Sequence, residues 1–261
     1  PCTAYGGRES KDSGIYRPRT AFCNRLFEGT NGVMDRILEK EDDRMNFKDK
    51  KALITGASRG IGKALAKELA LCGCEVFVNY AGNDKKAEET KGEIENVGGR
   101  CTLARVNLEE ADCAEKLFEI TGGVDILILN ASIQFRNRWT DITAKEFERQ
   151  INCNLRAPMF LMQKYIPGMI NKGWGRVVTI GSVQEAKPHA DMLVYSAAKS
   201  ALTSMAKSVA LQTAGTGVTV NSVAPGVIYT DRNVDALADS AYAETVKSKI
   251  PMGNWGEPKD C

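Results

Sequence analysis

The strongest constraint on the fold is an alternation of short apolar runs with longer helical segments, which begins at residue 51 and continues to residue 248. Such an alternation is typical of βαβ units, in which parallel strands are joined by crossing helices. The predicted strands are 51–55, 75–80, 101–106, 124–129, 175–181 and 217–223. The predicted helices are 60–72, 84–97, 110–121, 143–172, 194–214 and 238–248. The sequence therefore predicts an α/β fold with a doubly wound parallel sheet.

Residues 1–44 differ from the rest of the chain, because they contain paired glycines and several arginines but no alternating apolar run. We predict that they form a poorly ordered N-terminal tail with one short helix near Val33–Lys40. The single folded domain is then expected to cover residues 45–261 and to start at Met45.

Composition excludes several classes of partner. The net charge is +2, which gives no electrostatic reason to expect nucleic acid. The longest apolar stretch, Ile126–Leu129, is far shorter than the roughly 20 residues that span a membrane. The eight cysteines form no CxxC pair and predict reduced thiols in a cytoplasmic protein. The only histidine, His189, excludes a metal site built on several imidazoles and is expected at the surface.

A glycine-rich loop joins the first predicted strand to the first predicted helix. It reads TGASRGIG over residues 55–62 and contains Gly56, Gly60 and Gly62. Glycines at this position let the backbone approach a pyrophosphate, whose charge binds the free N–H groups of the helix N-terminus. A glycine turn without a ligand is the alternative, but the strand before the loop and the helix after it favour a dinucleotide site.

A second set of residues suits proton transfer. Tyr195 and Lys199 are four positions apart, so they lie on one face of a helix, and Ser182 ends a strand 13 residues before Tyr195. Hydride transfer to a carbonyl needs a group that gives or takes a proton, and a lysine cation beside a phenol favours the phenolate. The three residues therefore predict acid–base chemistry at a carbonyl or alcohol.

These motifs together resemble the short-chain dehydrogenase/reductase family, in order and at similar spacing, over about residues 47–261. The resemblance extends to three further elements, which are the Asn130-Ala131 step, the helix residue Asn154, and Pro225-Gly226 with Thr230. It implies a Rossmann-type sheet. It also implies that the family's last helix and C-terminal strand would follow Cys261, so we expect the domain to lack that strand.

The resemblance also implies a role for each site residue. Tyr195 would be the general acid/base, Lys199 would bind the nicotinamide ribose, Ser182 would bind the substrate oxygen, and Asn154 would hold the water of a proton relay. The cofactor-binding residues that it implies are Gly56, Ser58, Arg59, Gly60, Ile61, Gly62, Tyr80, Asn107, Leu108, Asn130, Ala131, Tyr195, Lys199, Pro225, Gly226 and Thr230.

The region after the second strand bears on the choice of cofactor. NAD enzymes of this fold place a carboxylate there, and it would repel the 2′-phosphate of NADP. Here the first acid is Asp84, and Arg59 adds a cation within the glycine loop. The sequence favours NADP(H), while NAD(H) stays an alternative if Arg59 is simply a solvated loop charge.

The predicted function is interconversion of a ketone and a secondary alcohol, with a small molecule as the substrate. The segments TGASRGIG, VNYAGNDKKAEE and VNSVAPG look most like 3-oxoacyl-[acyl-carrier-protein] reductases. A sugar or polyol dehydrogenase similar to gluconate and glucose dehydrogenases is the alternative, which the polar loop 184–191 suits. A catalytically silent nucleotide-binding scaffold is a third. Apolar residues on most faces of helices 143–172 and 194–214 predict a homo-oligomer, a dimer or a homotetramer.

Overall fold

A computed structural model describes residues 46–231 and 233–261 of the chain. The tail predicted for residues 1–44 and its helix near Val33–Lys40 lie outside these residues. The described residues belong to one compact unit, Asn46–Cys261. The predicted domain, residues 45–261 without a C-terminal strand, stays a prediction.

Six parallel strands form one sheet in the order β3-β2-β1-β4-β5-β6. The strands are β1 (Lys51–Ile54), β2 (Glu75–Tyr80), β3 (Arg100–Arg105), β4 (Ile126–Leu129), β5 (Gly175–Ile180) and β6 (Val218–Val223). The helices are α1 (Gly60–Leu71), α2 (Asp84–Glu95), α3 (Cys113–Thr121), α4 (Ala144–Ile151), α5 (Ala157–Asn171), α6 (Leu193–Thr213), α7 (Val234–Leu237) and α8 (Ser240–Lys247). The strand order reverses between β1 and β4, the point at which such sheets bind ligands. The predicted fold class is confirmed.

Burial on both faces of the sheet explains the continuous apolar runs of the central strands. Leu53 and Leu127 belong to the core on one face, whereas Ile54 and Ile128 belong to the core on the other face, together with Ala66 of α1. All five side chains are at most 6% exposed. Strands that are covered on both sides lose the apolar–polar alternation of half-exposed strands.

The helix predicted over residues 143–172 is wrong in one respect, because a π-helical turn, Asn152–Arg156, separates α4 from α5. Its start was predicted correctly, since the Thr143 hydroxyl and the Glu146 carboxylate form a capping box. Pro158 gives a physical reason for the break. It has no N–H to donate to the carbonyl of Asn154, four residues earlier, so regular α-helical bonding cannot pass this point.

The helix predicted over residues 238–248 corresponds to α8, whose ends differ from the prediction by no more than two residues, whereas the short α7 lies before it and was not predicted. The Asp239 carboxylate caps α8 by accepting hydrogen bonds from the N–H groups of Ala241 and Tyr242. The other predicted elements differ from the observed ones by no more than three residues at either end. Within the described part of the chain, no helix has the length and hydropathy that a membrane-spanning segment needs.

Candidate active site

A cleft of about 570 Å³ opens beside the glycine loop and continues to the N-terminal turn of α6. It contains every predicted site residue except Gly62 and Asn154. The predicted residues in its wall are Gly56, Ser58, Arg59, Gly60, Ile61, Tyr80, Asn107, Leu108, Asn130, Ala131, Ser182, Tyr195, Lys199, Pro225, Gly226 and Thr230. The fold thus brings the glycine loop and the Ser-Tyr-Lys set, which are more than 100 residues apart in sequence, into one site.

Two glycines of the loop have distinct structural roles. Gly56 has φ +63°, and a β-carbon there would lie 2.8 Å from Cα of Ala131. Gly62 lies in the first turn of α1, behind the cleft, where a β-carbon would lie 2.5 Å from Asn130 Nδ2. Gly62 therefore allows the helix to pack closely against the loop, and it does not line the cleft.

Buried and partly buried polar side chains fix the shape of the glycine loop. Asn130 donates from Nδ2 to the carbonyls of Thr55 (2.9 Å) and Gly56 (3.1 Å), and Thr55 Oγ1 accepts from the N–H of Asn130 (2.9 Å). Asn79 accepts the N–H of Gly56 at Oδ1 (3.3 Å) and donates to the carbonyl of Val106 (2.9 Å). Sequence reasoning missed Thr55 and Asn79, although a polar residue at the end of an apolar strand was a signal for them.

The tyrosine and lysine predicted to be catalytic lie together at the start of α6. Tyr195 is 7% exposed and Lys199 is 1% exposed. Lys199 Nζ donates to the carbonyl of Ile180 (2.6 Å), at the end of β5, and lies 5.8 Å from the centroid of the Tyr195 ring. A buried ammonium is costly unless it is hydrogen-bonded, so this carbonyl helps to hold the cation beside the phenol.

Ser182 follows β5 and faces the same cleft. Its Oγ accepts the N–H of Gln184 (3.2 Å), and its own N–H donates to Glu185 Oε1 (2.8 Å), so a one-turn 3₁₀ helix, Val183–Glu185, fixes its position. Because Oγ already accepts one bond, its O–H hydrogen can be donated to an oxygen in the cleft.

Asn154 lies within the π-helical turn and is fully buried. Its Oδ1 accepts the N–H of Ile133 (2.9 Å), and its Nδ2 donates to the carbonyl of Ile133 (2.8 Å). The side chain is thus occupied by the segment after β4. Its backbone carbonyl cannot accept a hydrogen bond from Pro158, which has no N–H.

The residues after β2 shape the other end of the cleft. The Tyr80 hydroxyl donates to Asp84 Oδ1 (2.9 Å), and Arg105 pairs with the second oxygen of Asp84 (3.3 Å). Burial, followed by the hydrogen bond to Asp84, raises the pKa of Tyr80. The first acid after β2 therefore already has two partners, while the exposed Arg59 lines the cleft.

The structure adds polar residues near the catalytic set that sequence reasoning missed. Gln134, Arg136 and Gln184 line the cleft, and so does His189, which was expected at the surface and is partly exposed. His189 Nδ1 accepts the N–H of Asp191 (3.1 Å), which fixes the orientation of the ring. This end of the cleft suits a substrate with polar groups.

The site fits a dinucleotide better than a metal ion. Gly56 and Gly60 both have positive φ and leave the loop without side chains where a pyrophosphate would bind, and the cleft is continuous from there to Tyr195. Among residues 46–231 and 233–261, no three histidine, cysteine, aspartate or glutamate side chains are grouped as metal ligands would be.

Comparison with known proteins agrees with this geometry. Residues 50–241 match the family described as short chain dehydrogenase. The chain belongs to the short-chain dehydrogenase family. The resemblance of the sequence motifs to this family is confirmed.

Two members of the family show which enzymes this short-chain dehydrogenase is similar to in sequence. It is 35% identical over 215 residues to the 3-oxoacyl-[acyl-carrier-protein] reductase FabG of Staphylococcus aureus, with 81% of this chain and 87% of the relative covered. It is 30% identical over 220 residues to 3beta-hydroxysteroid dehydrogenase 1 of Eggerthella lenta, with 82% and 84% covered.

Solved structures agree with these relationships. A 3-oxoacyl (acyl-carrier-protein) reductase from Agrobacterium tumefaciens, solved with NADP bound, has a TM-score of 0.79 and 32% identity, covering 83% of this chain and 85% of its own. A protein proposed to be an NAD(P)-dependent gluconate 5-dehydrogenase, from Beutenbergia cavernae, has a TM-score of 0.78 and 29% identity, covering 83% and 87%. Both substrate classes predicted from the sequence are represented among these neighbours.

Proposed function

We propose that this protein is an NADP(H)-dependent oxidoreductase that interconverts a ketone and a secondary alcohol. The observation that carries the proposal is the pairing of Tyr195 with the buried Lys199 ammonium in the same cleft as the glycine loop. A nucleotide-binding scaffold would need the loop but has no use for a phenol beside a buried cation.

In the proposed reaction, bound NADP(H) supplies or accepts the hydride. Ser182 donates its O–H to the substrate oxygen and orients the carbonyl. Tyr195 transfers a proton to or from that oxygen as the general acid/base. Lys199 stabilises the phenolate by its positive charge and binds the nicotinamide ribose. Asn154 has its side chain bound to Ile133, so it would hold the water of the proton relay through its backbone carbonyl.

NADP(H) is the proposed cofactor for a physical reason. Arg59 places a cation in the glycine loop, and Asp84 is occupied by Tyr80 and Arg105, so it is poorly placed to accept a ribose hydroxyl. The Agrobacterium reductase with NADP bound supports the same choice. NAD(H) remains the alternative and would be favoured by equal affinities for the two cofactors.

The proposed substrate is a 3-oxoacyl thioester, supported by the identity to two reductases of that name, from Staphylococcus aureus and Agrobacterium tumefaciens. A sugar-acid or polyol dehydrogenase is the second candidate. Gln134, Arg136 and His189 at the substrate end of the cleft favour it, since they offer hydrogen bonds and a positive charge to a hydroxylated or anionic substrate.

A cofactor assay distinguishes these possibilities. NADPH oxidation is measured with acetoacetyl thioesters, and NADP⁺ reduction is measured with gluconate and with glucose. We expect turnover with the thioester. Turnover with gluconate or glucose alone would instead establish the second candidate. Binding of NADPH without turnover of any carbonyl or alcohol substrate would make the protein a scaffold.

We further propose a cytoplasmic homo-oligomer, a dimer or a homotetramer. The six cysteines in the described part of the chain form no disulfide bond, as expected in a reducing compartment. Trp139, Phe147 and Phe160, in and around α4 and α5, expose large apolar surfaces that a second subunit could cover. Light scattering coupled to size-exclusion chromatography measures the assembly, and a monomer at micromolar concentration would contradict the proposal.

A further inference from the structure

An ion pair joins α2 to the segment that follows β6. The Lys86 ammonium contacts the carboxylate of Asp231, and Asp231 lines the cleft together with Arg59 and Asn83. The neighbouring Thr230 packs over the glycine loop, where its Cγ2 would lie 3.3 Å from a β-carbon at Gly60. The Asp231 carboxylate is therefore held at one end of the cleft, where Arg59 and the residues after β2 also lie.

The position of Lys86 is tied to the glycine loop itself. Thr90 lies one turn further along α2, and its hydroxyl is 3.1 Å from the carbonyl of Ser58 and 2.9 Å from the carbonyl of Lys86. Thr90 is fully buried. The backbone that carries Lys86 is thus fixed against Ser58 of the glycine loop. The Lys86 ammonium reaches the wall of the cleft at Asp231.

Two cations act on one carboxylate at this end of the cleft. The hydrogen bond from Lys86, and then the charges of Lys86 and Arg59, lower the pKa of Asp231. In this fold the group at the adenosine 2′ position is recognised by residues that follow the second strand. Lys86 is six residues after the end of β2, so a phosphate at that position would meet both cations and would be repelled by Asp231.

We propose that Lys86 is a second cation for the 2′-phosphate of NADP(H), beside Arg59, and that Asp231 is the counter-ion with which this phosphate competes. The inference rests on the proposed function, because it concerns the cofactor of that site. It goes further by assigning cofactor discrimination to an ion pair outside the glycine loop.

A purely structural role for the pair predicts a different pattern of effects. If the Lys86–Asp231 pair only held the segment after β6 in place, removing either partner would break the same contact. Both variants would then change the affinity for NADPH and NADH in the same direction. Competition predicts opposite effects, since Lys86 attracts the phosphate and Asp231 repels it.

The test uses the full chain and measures dissociation constants for NADPH and NADH by titration calorimetry at low salt. The variants are Lys86→Gln and Asp231→Asn, and the control is Lys85→Gln, which removes a positive charge from the same helical turn. Lys85 forms no ion pair with the described residues. The fragments 2′,5′-ADP and 5′-AMP are titrated in parallel, because they differ by the 2′-phosphate alone.

We expect Lys86→Gln to weaken NADPH and 2′,5′-ADP binding about tenfold and to leave NADH and 5′-AMP binding unchanged. Asp231→Asn should strengthen NADPH binding about threefold, since the pair it breaks is partly exposed and weak. Lys85→Gln should change neither. Equal effects of the two variants on NADPH and NADH, or no effect of Lys86→Gln, would overturn the inference. Failure of the parent protein to bind either dinucleotide would instead overturn the proposed function.

Discussion

Replacement of Gly62 by alanine tests whether this glycine serves packing. A β-carbon at position 62 would lie 2.5 Å from Asn130 Nδ2, 2.7 Å from the carbonyl oxygen of Gly56 and 2.9 Å from Cα of Ala57. Two of these three atoms belong to the backbone, so a side-chain rotation cannot relieve the clash. Asn130 would have to move, and its hydrogen bonds to the loop carbonyls would be lost or weakened.

The expected change in the free energy of unfolding combines one stabilising and two destabilising contributions. Replacing a helical glycine by alanine stabilises a helix by about 0.5–1 kcal/mol. Overpacking of a tight site costs about 1–3 kcal/mol, and loss of one hydrogen bond costs about 1 kcal/mol. Gly62→Ala should therefore lower the free energy of unfolding by about 2 kcal/mol, which corresponds to a Tm decrease of about 4–8 °C for a domain of this size.

Gly92 provides the matched control, because it lies within α2 and a β-carbon there would meet no atom within 4 Å. Gly92→Ala should raise the free energy of unfolding by about 0.5–1 kcal/mol. The assay is urea unfolding followed by circular dichroism, with thermal melting as a second measure. If Gly62→Ala were as stable as Gly92→Ala, the close contact with Asn130 would not exist and the packing role would be refuted.

Three further predictions concern charged groups. Arg59→Ala should reduce the preference for NADPH over NADH roughly ten- to a hundredfold, because a charge-assisted contact to the 2′-phosphate is lost. The ratio of the dissociation constants for NADPH and NADH measures this preference. An unchanged ratio would show that Arg59 does not recognise the 2′-phosphate. Lys199→Ala should weaken cofactor binding as well as turnover, and unchanged cofactor affinity would contradict its ribose role. Burial alone would raise the pKa of Asp125, but the N–H of Lys51 (2.9 Å) and the Lys172 ammonium (2.9 Å) lower it overall. The stability that this carboxylate contributes is therefore present above about pH 4 and is lost as the pH falls through the lower folded-state pKa. Urea unfolding from pH 7 to pH 3 should show a smaller loss of stability in Asp125→Asn than in the parent protein, and parallel curves would contradict the assignment.

The sequence predicted the sheet well because its central strands are buried on both faces. A fully apolar run such as Ile126–Leu129 is typical of a strand that helices cover on both faces of a parallel sheet. The neighbouring placement of Tyr195 and Lys199 could also be predicted, because residues four apart lie on one face of a helix. The catalytic role of the Ser-Tyr-Lys set stays a prediction.

The π-helical turn was missed because apolar residues continue through it. Pro158 was the available clue, but proline is also common in the first turn of an ordinary helix. The bonds of Asn154 to Ile133 depend on a segment 21 residues away, and residue spacing does not reveal such a contact.

Gly62 illustrates a second limit. The loop pattern does not distinguish a glycine that lets a ligand approach from one that lets a helix pack, since both need the absence of a side chain. Thr55 and Asn79 were missed because they act on backbone groups within the sheet, and only the three-dimensional structure shows which N–H and carbonyl groups need partners.

The central claim, that Tyr195 transfers the proton, is tested most directly by Tyr195→Phe. The variant keeps the ring beside Lys199 but removes the hydroxyl, and Tyr242→Phe, which removes a hydroxyl from a second tyrosine of the cleft, is the control. The measurement is the rate of NADPH oxidation with the best substrate of the panel, at saturating cofactor, together with the NADPH dissociation constant. We predict a rate about 10²–10⁴-fold lower in Tyr195→Phe, with cofactor affinity unchanged. A rate within a few-fold of the parent would contradict the account.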